Sequence, residues 1–250
     1  MTLIDGALLV TAGVVSGAVN AVAGGGTFFA FGALTLVGLP PITANATSSV
    51  AQFPGYAASA LAYRRELGGL WRRLAPLVAV SVVGGLIGAL ILLALRNDQF
   101  RVLVPWLLIG ATALFAFGPR MTRAMIARDL KVPRPVGWLV QFVVAIYGGF
   151  FGGGMGIMML ASLGMTEGTD DFHHLNAMKT LLSVVTAAVT LVVFSGGGAV
   201  SWREGAVMLV AVAAGGWGGV EAARRLPQPW VRAFVIATGL ALTAYYTLGG

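Results

Sequence analysis

The chain contains no cysteine, which removes disulfides, thiol nucleophiles and cysteine-based metal sites from consideration. Charge is scarce as well: 10% of the 250 residues are charged, against about 25% in a soluble domain. A Walker A loop, an HExxH helix and a GxSxG nucleophile turn are also missing, so ATP hydrolysis and standard membrane hydrolase chemistry have no visible basis. Neither an enzyme nor a cofactor is expected. What is there is apolar. Hydrophobic residues make up 58% of the chain, in runs of about 20 that call for helices, not the dyad alternation of an outer-membrane barrel. The composition is that of an all-α polytopic membrane protein. A net charge of +7 could signal nucleic acid in a soluble protein. Here the arginines lie between apolar runs, where the positive-inside rule accounts for them, and no nucleic acid is expected. Met1 to Asp5 show no basic n-region or small-residue cleavage pattern, so the first apolar segment is expected to be retained.

Glycine is abundant, at 36 residues, and two triplets stand out. Gly24-Gly25-Gly26 and Gly152-Gly153-Gly154 each interrupt a long apolar run. Unwound backbone at membrane depth is tolerated only where protein or a polar cavity satisfies it. Interrupted helices at matching positions of two halves point to a transporter's substrate site. Close helix packing is the alternative use of such glycines. The first run, Gly6 to about Leu39, is split into pieces of roughly 17 and 12 residues, both short of a ~20-residue span. Gly38-Leu39-Pro40-Pro41 closes the unit. A helix from about Thr43 to Tyr63 follows, then spans near Leu74–Leu95 and Phe100–Phe117, with Gly84, Gly85 and Gly88 read as packing surface.

The second half repeats the first. A shift of 131 residues lays Asn45 on Asn176, Ser49 on Thr180, Trp71-Arg72 on Trp202-Arg203 and Gly84-Gly85 on Gly215-Gly216. The triplets align at 128, so three extra residues are expected in the loop Thr166 to Asp171. Arg64 to Arg73 holds four Arg and one Glu, whereas its counterpart Ser195 to Glu204 holds one Arg and one Glu. Equivalent loops of unequal basicity imply opposite sides of the membrane. The expectation is two inverted repeats of about five membrane helices each, the first two of each repeat short and broken at a glycine triplet. Residues 1–118 form the first repeat, 119–135 a basic cytoplasmic linker and 136–250 the second, with both termini outside. A lipid-binding role for the linker is an alternative that orientation alone makes unnecessary.

The candidate chemistry lies beside the breaks. Asn20, Thr27, Asn45, Ser48, Ser49 and Gln52 belong to the first half, and the last four fall on one helical face. Asn176, Lys179, Thr180 and Ser183 repeat that spacing. Lys179 is distinctive, since a charge at the centre of a membrane helix costs about 2.5–3.5 kcal/mol on insertion scales. It needs a partner, a watery site or a route by which to snorkel to the interface. A cation facing glycine N–H groups and hydroxyls makes an anion site. The absence of an intramembrane carboxylate argues against a cation pathway. Glu167, Asp170, Asp171, His173 and His174 have metal-ligand composition without metal-ligand spacing and read as a solvated loop, so no metal is expected. His173 or His174 is left as a candidate proton relay at the cavity mouth.

These residues carry a resemblance. Gly17, Asn20, Gly24 to Gly26, Gly38 to Pro41 and Ala44 to Ser49, with Gly148 to Gly156 and Asn176 to Thr180 in the second half, resemble the TauE/SafE family of membrane transporters. The resemblance implies a secondary transporter moving a small sulfur-containing or organic anion, such as sulfite or a sulfonate, by alternating access across the bacterial inner membrane. The substrate site would comprise Asn20, Gly24, Gly25, Gly26, Thr27, Asn45, Ser48, Ser49, Gln52, Gly152, Gly153, Gly154, Asn176, Lys179, Thr180 and Ser183. The partners expected are the small anion and the lipid bilayer, with a homodimer allowed. An ion or proton channel, or a non-transporting scaffold, is the alternative.

Overall fold

The structure, a computed structural model, describes residues 1–22, 25–65, 67–127, 133–167, 172–225 and 228–248. All regular structure among them is helical. In chain order the helices are α1 (Leu3–Val22), α2 (Thr27–Leu36), α3 (Pro41–Ala51), α4 (Phe53–Ala62), α5 (Trp71–Ala94), α6 (Asn97–Ala127), α7 (Arg134–Phe150), α8 (Met155–Glu167), α9 (Phe172–Gly196), α10 (Trp202–Arg225) and α11 (Gln228–Leu248). Three are long and apolar enough to cross a membrane within the windows Leu3–Asn20, Trp71–Ala94 and His174–Gly196.

The boundaries have local causes. α2 stops at a left-handed Gly38, φ 89°, where the Leu39 amide reaches back to the Leu34 carbonyl at 3.2 Å, a Schellman ending. Pro40 then holds extended backbone and Pro41 opens α3, since a proline at the first helical position gives up an amide that has no partner anyway. The same ending recurs after α9, with Gly198 at φ 66° and Ala199 bonded to Phe194 O at 3.0 Å. Sequence reading expects one helix from Thr43 to Tyr63, but the structure breaks it at Gln52. Pro54 is the reason: it cannot donate to the Val50 carbonyl and its ring crowds that oxygen. Counted as one interrupted helix, α3 and α4 bring the total to ten.

Two other expectations change. α1 runs 20 residues, about 30 Å at 1.5 Å per residue, so it is long enough to span and only α2, at 10 residues, is short. α7 at 17 residues and α8 at 13 are less unequal. α6 continues to Ala127, well past Phe117, because Pro119 does not interrupt it. Residues 128–132 lie outside the described residues, as do Gly24 and Gly168 to Asp171.

Glycine-mediated contacts set the helix pairs. A Cβ on Gly215 of α10 would lie 2.0 Å from Val14 O of α1, and one on Gly17 2.1 Å from Val212 O. A Cβ on Gly88 of α5 would lie 2.0 Å from Ile146 O of α7, and one on Gly84 2.7 Å from Phe142 O. Backbones so close leave no space for side chains, and packing is the role of these glycines. Along α1, Gly13 meets Met208 O and Gly17 meets Val212 O, and along α5, Gly84 meets Phe142 O and Gly88 meets Ile146 O, so the contacts advance together: α1 and α10 run parallel, as do α5 and α7. The start of α3 meets the start of α6 through Ile42 N donating to Asn97 Oδ1 at 3.0 Å. Ser201, just before α10, donates its amide to Thr47 Oγ1 at 3.0 Å. The end of α5 and the start of α10 therefore lie toward the same end of the molecule, so these helices run in opposite directions. The start of α5 meets the end of α8 through Arg73 and Glu167, 3.3 Å apart. Large apolar side chains such as Val83, Leu90, Val102, Trp106, Leu139 and Val143 are exposed, whereas the polar stripe residues are buried, apart from a half-buried Ser49. This inside-out distribution is the one a lipid solvent imposes.

Candidate functional site

At both glycine breaks the described residues are buried, and a hydroxyl holds each break in place. Ser16 donates to Gly26 O at 2.6 Å, while Gln52 Nε2 donates to Ser16 Oγ at 2.6 Å. Asn20 Nδ2 in turn donates to Gln52 Oε1 at 3.2 Å. At the second break the Tyr147 hydroxyl donates to Gly153 O at 2.8 Å. Gly152 and Gly154 have φ values of 76° and 80°, the left-handed region that glycine enters without steric cost. Among the described residues the Gly153 and Gly154 amides donate to no backbone carbonyl. The first turns of α2 and α8 start directly after the breaks and add the positive partial charge of helix N-termini.

The breaks also touch each other's surroundings. A Cβ on Gly153 would lie 2.8 Å from Phe28 in the first turn of α2, and one on Gly152 3.5 Å from Ser49 Oγ. Gly154 faces Ala111, halfway along α6.

Two small cavities sit here, sharing Gln52 and Tyr56. One, of about 10 Å³, is lined by Gly17, Asn20, Gln52, Gly55, Tyr56, Ser59, Lys179 and Thr180. The other, of about 20 Å³, is lined by Thr27, Ser49, Gln52, Tyr56, Gly148, Gly152, Met155, Thr186, Ala187 and Thr190. Spaces of this size hold about one water each. A molecular anion enters only if helices around Gln52 and Tyr56 separate.

Lys179 is 3% exposed, so its side chain is packed inside and does not reach the interface. Among the described residues no acid pairs with it, and its ammonium has neither hydrogen bond nor ion pair. The neighbours that line its cavity are neutral amides, hydroxyls and glycine backbone.

Other expected residues are placed differently. Asn45 Nδ2 donates to Phe150 O at 2.8 Å, capping the last turn of α7 where the break leaves carbonyls free. Ser48 donates to Asn45 O of its own helix at 2.9 Å. Asn176 Nδ2 donates to the Tyr63 hydroxyl at 2.9 Å, Thr180 bonds Asn176 O at 2.7 Å, and Ser183 faces Met159 Sδ at 3.6 Å. Asn45, Asn176 and Ser183 thus link neighbouring elements, whereas Ser48 and Thr180 bond carbonyls of their own helices. Asn20, Thr27, Ser49, Gln52, Gly152, Lys179 and Thr180 line the space itself. Gly25 and Gly26 are buried beside it, and Gly24 lies outside the described residues.

Sequence reading overlooked Tyr56, whose hydroxyl faces Asn20 and Thr27 and which borders both cavities. The signal was available, since Ser49, Gln52, Tyr56, Ser59 and Tyr63 continue one stripe at spacings of three and four. It also missed Ser16 and Tyr147, which hold the breaks. Among the described residues no cluster of His, Asp and Glu is arranged to hold a metal. Of the histidine pair, His174 starts the apolar stretch of α9.

Comparison with known proteins agrees with this architecture. The family model described as "Sulfite exporter TauE/SafE" matches residues 9–246. A Haemophilus influenzae protein described as "Probable membrane transporter protein" is 24% identical over 239 residues, covering 95% of this chain and 92% of its own. The "Probable membrane transporter protein YfcA" of Escherichia coli K12 is 27% identical over 237 residues, covering 92% and 84%. "Probable membrane transporter protein ORF9" of a Sinorhizobium species is 27% identical over 209 residues, covering 81% and 77%. No solved structure matches. With a family match along nearly its whole length and a multi-pass helical architecture, the chain belongs to the sulfite exporter TauE/SafE family, a family of membrane transporters and not of enzymes.

Proposed function

We propose that the protein is a secondary transporter of the bacterial inner membrane that moves a small sulfur-containing or organic anion, sulfite or a sulfonate, by alternating access around the two glycine breaks. One observation carries the reading: Lys179 is a buried cation with no acid beside it among the described residues, bordering a small cavity with Asn20, Gln52 and Tyr56. A membrane protein retains such a group where a charge passes or binds. The unpaired Gly153 and Gly154 amides and the starts of α2 and α8 add donors of the same sign. An oxyanion suits donors of this kind, Lys179 bordering one cavity and the second glycine break the other. The neutral ring of amides and hydroxyls then supplies orientation without competing charge.

Alternating access follows from an inverted repeat with 1–118 and 136–250 as its halves, and the helix boundaries support that arrangement. The start of α8 follows that of α2 by 128 residues, as the end of α7 follows that of α1. The starts of α5 and α10, their ends, and the starts of α6 and α11 are each 131 apart. The three-residue difference equals the extra length of α8 over α2, nearly one more turn of helix ending at Glu167. Contacts follow the same exchange: Gly84 against Phe142 corresponds to Gly215 against Val14, at shifts of 131 and 128. The opposed directions of α1 and α10 against α5 and α7 are those of an inverted pair. Arg64, Arg65, Arg72, Arg73 and Arg134 gather at the end where α5 and α7 begin, which makes that end cytoplasmic.

Topology is testable in this cysteine-free chain. Cysteines at Gly69 and Gly198, glycines preceding α5 and α10 whose added Cβ meets nothing within 4 Å, are expected to label from opposite sides of the membrane, Gly69→Cys from the cytoplasm. Labelling of both from one side would sink the inverted arrangement. For function, purified protein in liposomes is expected to give saturable uptake of radiolabelled sulfite or a sulfonate, with mutual competition and no competition from sodium or potassium. Protein-free liposomes set the baseline. Flux no greater than that baseline for every anion tried leaves a scaffold as the reading.

A further inference from the structure

Away from the glycine breaks the arginine-rich end contains a cleft of about 210 Å³, lined by Arg72, Arg73, Pro76 and Leu77 of α5, Arg134, Gly137 and Trp138 of α7, and Thr166 and Glu167 of α8. Its volume is an order of magnitude larger than that of either cavity beside Lys179. We propose that this cleft binds the phosphate-ester group of an anionic phospholipid, a ligand separate from the transported anion.

The charge is unbalanced. Glu167 pairs with Arg73 at 3.3 Å, and among the described residues Arg72 and Arg134 have no acidic partner. Three guanidinium groups from two helices, facing one carboxylate, leave two forks free. Planar guanidinium forks suit the paired oxygens of a phosphate, and arginine does this better than lysine. Positive-inside orientation explains why arginines occur at this end, but it calls only for charge in the loops. It does not call for a cavity between helices with the charges around it.

The walls point to a lipid. Pro76, Leu77 and the Trp138 ring are apolar, and α7 leaves the cleft with Leu139 and Val143 exposed, at 61% and 57%. An amphipathic ring at the membrane interface beside basic side chains is a setting in which headgroups are held. Close packing keeps the cleft shaped. A Cβ on Gly137 would lie 2.3 Å from Thr166 Cγ2, so the glycine lets the last turn of α8 lie against the first of α7 and brings Glu167 to Arg73.

The test is thermal stability and lipid retention of the full chain in detergent, titrated with phosphatidylglycerol, phosphatidylcholine, glycerol 3-phosphate and sulfite. The parent is compared with Arg72→Gln/Arg134→Gln and with Arg203→Gln, which removes an exposed arginine from the start of α10. All three arginines are exposed, so the variants are expected to fold. Phosphatidylglycerol is expected to raise the midpoint of the parent and of Arg203→Gln and to co-purify in native mass spectra. The double variant is expected to bind it about thirtyfold more weakly, at about one kcal/mol per arginine. Phosphatidylcholine is expected to be inert. An equal response to glycerol 3-phosphate, lost in the same double variant, would retain the phosphate-ester site but assign it to a soluble ester and overturn the lipid. An equal response to both lipids, a phosphatidylglycerol effect that survives in the double variant, or sulfite acting through the same two arginines would overturn the proposal outright. None of these outcomes depends on the transport site, because Lys179 is unchanged throughout.

Discussion

Lys179→Met is expected to weaken anion binding about thirtyfold while leaving the empty protein at least as stable as the parent. The two halves of that expectation have one cause. In the empty protein the ammonium is buried among neutral amides, hydroxyls and glycine backbone, and among the described residues it has no counter-charge. Replacing an unpaired buried charge by an apolar chain of similar length removes a desolvation cost and leaves few partners bereft. With an anion bound, the same substitution removes a charge-assisted contact in a partly dry site, about 2 kcal/mol. A lysine held only for structure would behave otherwise: Lys179→Met would lower stability and leave affinity untouched. Lys179→Arg is expected to retain some binding with reduced transport, because a planar fork does not fit a cavity shaped around an ammonium. Anion-dependent thermal shifts for the three proteins, with uptake measured in parallel, separate these cases.

The glycine breaks give the second large effect. Gly153→Leu is expected to abolish uptake, since even its Cβ would meet Phe28 at 2.8 Å and Phe151 at 2.9 Å, forcing the start of α2 away from the second break. Gly26→Ala meets a harder obstacle, the Ser16 carbonyl oxygen at 1.9 Å. That oxygen belongs to helix backbone and has little freedom to move. Gly152→Ala is the more discriminating variant. Its Cβ would have ordinary contacts at 3.5 Å to Gly148 O and Ser49 Oγ, so the cost is mainly the left-handed φ, about 1–2 kcal/mol. The protein is expected to reach the membrane in normal amount and to lose at least about tenfold in transport rate, the equivalent of 1.4 kcal/mol. Gly110→Ala, whose Cβ meets nothing within 4 Å, is the silent control. Normal transport in Gly152→Ala and Gly153→Leu together would reduce the triplets to packing elements.

Much of this architecture is written in local chemistry, and so it is legible from sequence. Gly38 followed by Pro40-Pro41 ends one helix and starts the next whatever surrounds them, and a glycine triplet breaks an apolar run in any context. The break at Gln52 is equally local, since Pro54 dictates it, but the continuous polar stripe masks it. Tyr56 lies on that same stripe, one turn beyond Gln52, where the aromatic ring reads as an ordinary membrane-helix residue. Contacts across the chain are a different matter. Nothing about Ser16 alone says that its hydroxyl holds the Gly26 carbonyl, or that Asn45 caps α7 while Asn176 reaches Tyr63. The two asparagines that a 131-residue shift superposes thus have unlike partners, and a one-dimensional alignment has no means of separating them. Lys179 is the reverse case. Its sequence position already demands an explanation, and the fold supplies the surroundings: Asn20, Gln52 and Tyr56 brought to it from another part of the chain.

The central claim is that one site opens alternately to each side, and counterflow tests it most directly. Liposomes containing the protein are loaded with unlabelled sulfonate at high concentration, diluted into a trace of labelled sulfonate, and clamped at zero membrane potential. A carrier is expected to drive transient accumulation of label above its equilibrium level, lost in Lys179→Met at the same trace concentration. Label that rises only to equilibrium, with no overshoot at any loading, would contradict alternating access and make the path a channel.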